Sequence, residues 1–311
     1  MGYRDVGLQV PLQPGKTGIS LNAIYGVSPT PLPPCNPYTP IFRMDQKPLL
    51  TLLSDFGDRD VYVAVMKGVI AQINPKLRVI DLTHQIPPQN ITAARFCLLN
   101  AYSYFPNGTI HVAVVDPGVG GLRRAIALQL TSCVLIGPDN GIFSGILNQN
   151  VAIAAVELTN PRYWRTQEPS RTFHGRDIFA SVAAHLANGV SFKQLGTRID
   201  PASLVKLDIP ESQISETGIV GYIQYIDHFG NLITNIPASC VQGKTWYLEA
   251  GNLKIPGCET YGNVKVGDVI ALVGSHGWVE IAINSGNAQL QLLLGMGDAL
   301  QVKLGVMSFE F

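Results

Sequence analysis

The stretch LLTLLSDFGDRDVYVAVMKGVIAQINPKLRVIDLTH, residues 49 to 84, decides the fold. LLTLL is a short apolar run that ends in the turn Ser54-Asp55-Phe56-Gly57. VYVAVMKGVIAQI then places its apolar residues at helical spacing until Asn74-Pro75 stops it. LRVIDLTH is a second strand-like run with polar residues at its C-terminal end. Strand, helix, strand is the unit that joins parallel neighbours, because the return path needs a crossover.

The same alternation continues down the chain. ITAARFCLLNAYSYF reads as a helix and Pro106-Asn107-Gly108 as a turn. TIHVAVVD is a third buried strand, and AIALQL, CVLIGPDNG and AAVEL add further strands. FASVAAHLANG closes this half as a helix ended by Gly189. The prediction is an α/β domain at about 48–205, its largely parallel sheet covered on both faces. After about Asp208 the helices vanish. GIVGYIQYID, NLITNIP, KTWYLEA, VIALVG, WVEIAIN and AQLQLLL are short strands between Gly, Asn and Pro turns, predicting an all-β, barrel-like domain at about 215–311.

Residues 1–47 follow neither pattern. They hold Pro11, Pro14, Pro29, Pro31, Pro33, Pro34, Pro37 and Pro40 without a sustained hydrophobic period, so a disordered extension is expected. Met44, just ahead of the first strand, is the preferred initiator.

Composition excludes several classes of function. Lysine and arginine number 22 and aspartate and glutamate 22, so no basic field is present to hold nucleic acid or an anionic membrane. No run approaches the ~20 apolar residues of a membrane span. The five cysteines, Cys35, Cys97, Cys133, Cys240 and Cys258, are scattered, which favours isolated thiols in a reducing, cytoplasmic setting. The six histidines show neither HExxH nor HxH spacing, so no metal site is expected from them. A hard-cation site built from aspartates is the one metal reading left.

Ligands bind parallel sheets beyond the C-terminal ends of the strands. Asp55, Asp81 and Asp116 each fall at such an end on successive predicted strands, so one rim should gather them. DPGVGGLRR (116–124) is no dinucleotide loop, since its third glycine is missing and a strand follows it. The DFG at 55–57 is no kinase motif, since no glycine-rich loop or VAIK-like strand precedes it. In TFHGRD (172–177), Arg176 and Asp177 read as a helix start, and Gly175 as a place for close backbone approach. Asp227 and Asn231 flank an aromatic turn in the β region and could grip a polar ligand or simply form an Asx turn.

Taken in order, SDFG (54–57), DLTH (81–84), VVDPGVG (114–120) with Arg123-Arg124, GPDNG (137–141), TFHGRD (172–177) and DHFGN (227–231) resemble the S-adenosylmethionine hydroxide adenosyltransferases. The resemblance runs from about Leu49 to the C-terminus. It implies hydrolysis of S-adenosylmethionine to adenosine and methionine, with no cofactor. It also implies a homotrimer whose sites lie between the α/β domain of one subunit and the β domain of the next. The family's Asp-Arg-His triad falls on Asp116, Arg123 and His174. Asp55 takes the place of the carboxylate that holds the ribose hydroxyls, and Asp227, Asn231 and Ser285 those of groups at the methionine end. Related halide-using enzymes carry an extra loop for which the 35 positions between Asp81 and Asp116 leave no room. A halide-dependent transferase and a binder without turnover remain the alternatives. Within the triad, either His174 accepts the water proton or Arg123 and His174 together stabilise a hydroxide-like oxygen.

Overall fold

The structure, a computed structural model, describes residues 48–305. The proline-rich extension, Met44 and Cys35 lie outside the described residues.

The first sheet is built as the opening stretch demands. β1 (Leu49–Ser54) leads through α1 (Tyr62–Ile73) to β2 (Arg78–Thr83), and α2 (Ile91–Ala101) leads to β3 (Thr109–Val114). β4 (Ala125–Gln129), β5 (Cys133–Pro138), β6 (Ala154–Glu157) and β7 (Thr197–Ile199) complete seven strands in the order β2-β1-β3-β5-β4-β6-β7. The sheet is mixed. β2, β1, β3 and β5 run parallel, and the β4, β6 and β7 pairings are antiparallel.

Strand alternation sorts the core into two layers. Leu50, Leu52, Ile110, Val112 and Val114 pack with Met66 and Ile70 of α1 and with Val182 and Leu186 of α4 (Ser181–Ala187). Leu53, Ala113 and Val115 face Ala94 and Leu98 of α2 and Ile146 of α3 (Ser144–Leu147). Burying each such leucine stabilises the fold by roughly 1.5–3 kcal/mol.

The second sheet is antiparallel. β8 (Gln213–Ser215), β9 (Gly218–Ile226), β10 (Leu232–Pro237), β11 (Trp246–Ala250), β12 (Leu253–Pro256), β13 (Val269–Val273), β14 (Trp278–Ile283) and β15 (Ala299–Leu304) run in the order β12-β11-β15-β9-β10-β14-β13, with β8 on β9. A bridge from Gly257 to Ala271 brings the two ends together and nearly closes the barrel.

One expectation fails here. AQLQLLL is not a strand: residues 288–292 form helix α5. The Asn287 side chain accepts from Leu290 N, capping the start, and Leu293 leaves in the left-handed region at φ 56°. The alternating pattern suited a strand, but the cap and the left-handed exit made a helix of it.

The connection between the sheets is pinned to the first. Arg124 pairs with Asp139 and donates to the Ser203 carbonyl (2.6 Å), while Asp139 accepts from Val205 N (2.9 Å). At Gly141 (φ 92°) a Cβ would stand 2.6 Å from Leu207, so only glycine fits. Phe96 of α2 stacks on Tyr225 of β9 at 4.5 Å. Among the described residues no helix is long and apolar enough to cross a membrane.

Candidate active site

The turns that follow β1 and β3 meet the segment before α4 at a cleft of about 420 Å³. Asp55, Phe56, Tyr62, Gln89, Asp116, Thr172, Phe173, His174 and Gly175 are among its lining residues.

Asp116 stands just beyond β3, and its carboxylate receives Arg123 as a fork. Arg123 Nε donates to Oδ1 (2.9 Å) and Oδ2 (3.0 Å), and Nη2 also donates to Oδ2. The same Nη2 contacts His174 Nδ1 at 2.7 Å. A guanidinium has only donors, so Nδ1 is the acceptor and the neutral ring carries its proton on Nε2. Burial and the Arg123 charge hold the His174 pKa below the ordinary histidine value, against Asp116 and Asp177, which raise it. Below the guanidinium, the buried Phe179 ring lies 5.4 Å from Arg123 Cζ and restricts its plane.

Backbone geometry brings these residues together. A Cβ on Gly120 (φ 74°) would stand 2.1 Å from the Arg171 carbonyl, so glycine alone lets the DPGVG loop touch the turn leading to His174. Asn140 of GPDNG donates to the Val115 carbonyl (2.8 Å) and fixes the chain next to Asp116. After His174 the chain does not enter an ordinary α-helix. Residues Gly175–Ala180 wind as a π-helical turn before α4, an uncommon conformation that recurs at functional sites. Asp177 is fully buried there. It accepts from Arg165 Nε (2.5 Å), Arg176 Nε (2.7 Å) and Ser170 N (2.9 Å). Burial alone would raise its pKa, but Arg176, Arg165 and Ser170 outweigh it and hold the carboxyl far below the usual range. Arg176 and Asp177 are thus structural supports, as their helix-start reading implies. Gly175 lines the cleft and also packs tightly on its own chain, with Phe173, Met66 and Phe56 at 3.2–3.4 Å from a Cβ placed there.

Asp55 lines the same cleft and accepts from Gln89 N at 2.8 Å. Asp81 does not join it, contrary to the reading that placed three aspartates on one rim. β2 continues past Asp81 to Thr83, and the side chain turns to Lys67 Nζ (2.5 Å) and His84 Nε2 (3.1 Å). Among the described residues no group of three or more His, Cys, Asp or Glu is placed to hold a metal ion.

Asp227, Asn231 and Ser285 are not among the residues lining this cleft. The Asp227 carboxylate accepts from Phe229 N, Asn231 N and Asn231 Nδ2, each at 2.9 Å, in a closed Asx turn. Gln289 N donates to the Gly230 carbonyl (2.9 Å), which ties that turn to α5. Ser285, close before α5, is exposed and held at φ 58°, a strained setting for serine.

Sequence reasoning missed an aromatic wall. Phe56, Tyr62 and Phe173 meet with centroids 5.2–5.7 Å apart and line the cleft. Phe56 and Phe173 each adjoin a singled-out motif residue, and that adjacency was the available signal.

Comparison with known proteins identifies the family. Residues 50–196 match the SAM hydroxide adenosyltransferase N-terminal domain and residues 221–301 the C-terminal domain. An (R)-S-adenosyl-L-methionine hydrolase from Salinispora tropica is 39% identical over 266 residues, covering 84% of this chain and 100% of that protein. One from Thermus thermophilus is 38% identical over 260 residues, covering 81% and 97%. The crystal structure of an uncharacterized conserved protein from Thermotoga maritima superposes with a TM-score of 0.77 at 32% identity, covering 82% of this chain and 99% of that one. The chain belongs to the SAM hydroxide adenosyltransferase family.

Proposed function

We propose that this protein is an S-adenosyl-L-methionine hydrolase that forms adenosine and L-methionine by in-line attack of water or hydroxide on the 5′ carbon. The observation that carries this reading is the Asp116–Arg123–His174 hydrogen-bond chain at an aromatic-walled cleft, in a chain of this family.

In the reaction a C5′–O bond forms, the C5′–S bond breaks, and sulfur leaves with the electron pair as the neutral thioether of methionine. With water as nucleophile one proton is released. The leaving group needs no acid, so the site must position an oxygen and exclude bulk water. Of the two roles open to His174, the geometry favours stabilising a hydroxide-like oxygen. Arg123 occupies Nδ1, so Nε2–H is a donor, and the depressed pKa keeps the ring neutral. Asp116 fixes the guanidinium and balances its charge.

Asp55 is assigned to the ribose hydroxyls and the aromatic wall to the adenosyl group. Asp227, Asn231 and Ser285 are assigned to the methionine end, with Asp227 facing its ammonium. Because these three do not line the cleft of their own chain, we assign them to the cleft of a neighbouring copy in a homotrimer. Phe229 and Leu290, each 70% exposed beside that turn, suit burial against such a neighbour. The domains would then be residues 48–205 and 215–311. Free thiols at Cys97, Cys133, Cys240 and Cys258 fit a reducing, cytoplasmic setting. No cofactor is assigned.

The test is incubation of purified protein with S-adenosyl-L-methionine, with and without chloride or fluoride, and chromatography of the products. Adenosine and methionine without added halide support the reading. Halogenated deoxyadenosine, or tight binding with no product, would replace it with the transferase or the binder.

A further inference from the structure

The turn that carries Asp55 has a second support, separate from the triad. His84, just past β2, reaches both ends of Ser54–Gly57: its Nδ1 lies 2.7 Å from Ser54 Oγ, and its carbonyl accepts from Gly57 N at 2.8 Å. Five residues on, Gln89 N donates to the Asp55 carboxylate at 2.8 Å from a left-handed conformation, φ 64°. A non-glycine residue held in that region is strained, and such strain marks functional positions.

Ser54 Oγ also accepts from Phe56 N (3.3 Å), so the hydroxyl joins the backbone of the turn to the His84 ring. The other ring nitrogen, Nε2, lies 3.1 Å from Asp81 Oδ1, with an aim that falls short of a hydrogen bond. The other Asp81 oxygen meets Lys67 Nζ. Ser54 is buried, so this Ser–His–Asp row cannot serve as a nucleophile triad. It is aimed at the backbone of the turn.

We propose that His84 is a positioning residue for Asp55, holding the turn after β1 so that the carboxylate meets the ribose hydroxyls squarely. The proposal rests on the reading of Asp55 given above. Two hydrogen bonds donated by a diol to one carboxylate tolerate little displacement, so a support on the turn appears in affinity for the nucleoside.

The experiment measures adenosine binding to the full-length protein by titration calorimetry. The variants are Asp55→Ala, His84→Ala, His84→Asn, Ser54→Ala and the Asp55→Ala/His84→Ala pair. Loss of one such hydrogen bond predicts about three- to tenfold weaker binding for His84→Ala. Ser54→Ala, which breaks the same bond from its other end, should match it and carries the test if His84→Ala does not fold. His84→Asn can present either an acceptor or a donor to Ser54 and should recover most of the affinity. On the Asp55→Ala background the His84→Ala penalty should vanish. Wild-type affinity in both His84→Ala and Ser54→Ala would overturn the proposal, as would a His84→Ala penalty that persists undiminished without Asp55. Wild-type affinity in Asp55→Ala itself would instead remove the ribose reading, and the proposal with it.

Discussion

Two aspartates, Asp116 and Asp227, follow strands and accept several hydrogen bonds, yet their surroundings differ in kind. Asp116 is joined to Arg123 and through it to His174, which is distant in sequence, and it faces a cleft. Asp227 is satisfied within five residues, beside an exposed phenylalanine. On the proposed reading, the carboxylate linked across the fold to a histidine acts in its own chain, and the one closed into its own turn contributes only where another surface is brought to it.

The largest effect tests the first half of the comparison. Arg123→Ala and His174→Ala should each lower kcat by about 10²–10⁴-fold in steady-state turnover of S-adenosyl-L-methionine, with smaller changes in KM. Because the His174 pKa is depressed, the acid limb of wild-type turnover should be centred below the ordinary histidine value. Loss of activity centred at or above the ordinary value would contradict a neutral Nε2–H donor.

A second histidine sharpens the contrast. His111 is fully buried, with Nδ1 2.7 Å from Thr51 Oγ1 and Nε2 without a hydrogen-bond partner among the described residues. Burial pushes its pKa from 6.5 to about 4. The folded value lies below the unfolded one, so stability is intact above pH 6.5 and falls as the pH drops from 6.5 to about 4. Within that window only the unfolded chain binds the proton. The loss should reach about 3 kcal/mol in denaturant titrations, and His111→Asn should flatten it.

Asp227→Ala should raise KM about tenfold while sparing kcat, the pattern of a lost binding contact. If the site is shared, co-refolding Asp227→Ala with inactive Arg123→Ala should restore about a quarter of the sites, since random mixing pairs an intact cleft with an intact edge that often. No recovery would place both groups in one chain. The smallest effect is expected at Lys67, whose exposed pairing with Asp81 lies outside the cleft: Lys67→Ala should change stability by under about 1 kcal/mol in the same titrations.

The parts legible in the sequence were those fixed by local period and by motif. β1, α1 and β2 follow directly from residues 49–84, and Asp55, Asp116 and His174 meet at one cleft as strand-end logic and the family resemblance imply. What could not be read depends on contacts between segments distant in sequence. Asp81 looked like a strand-end carboxylate because nothing local shows that Lys67 of α1 and His84 take up its side chain. The π-helical turn at 175–180 carries the apolar pattern of an ordinary helix, and its winding accompanies the burial of Asp177 between Arg165 and Arg176. β15 went unread because its alternation is half polar, and its place between β11 and β9 is a property of the barrel.

On the proposed mechanism an oxygen from solvent, placed by Arg123 and His174, displaces methionine at the 5′ carbon. Turnover in ¹⁸O-enriched water with mass analysis of the adenosine tests this displacement. One solvent oxygen at the 5′ hydroxyl in wild-type protein, with the labelled product lost in Arg123→Ala, is the expected result. Adenosine formed without solvent oxygen at that position would contradict direct displacement.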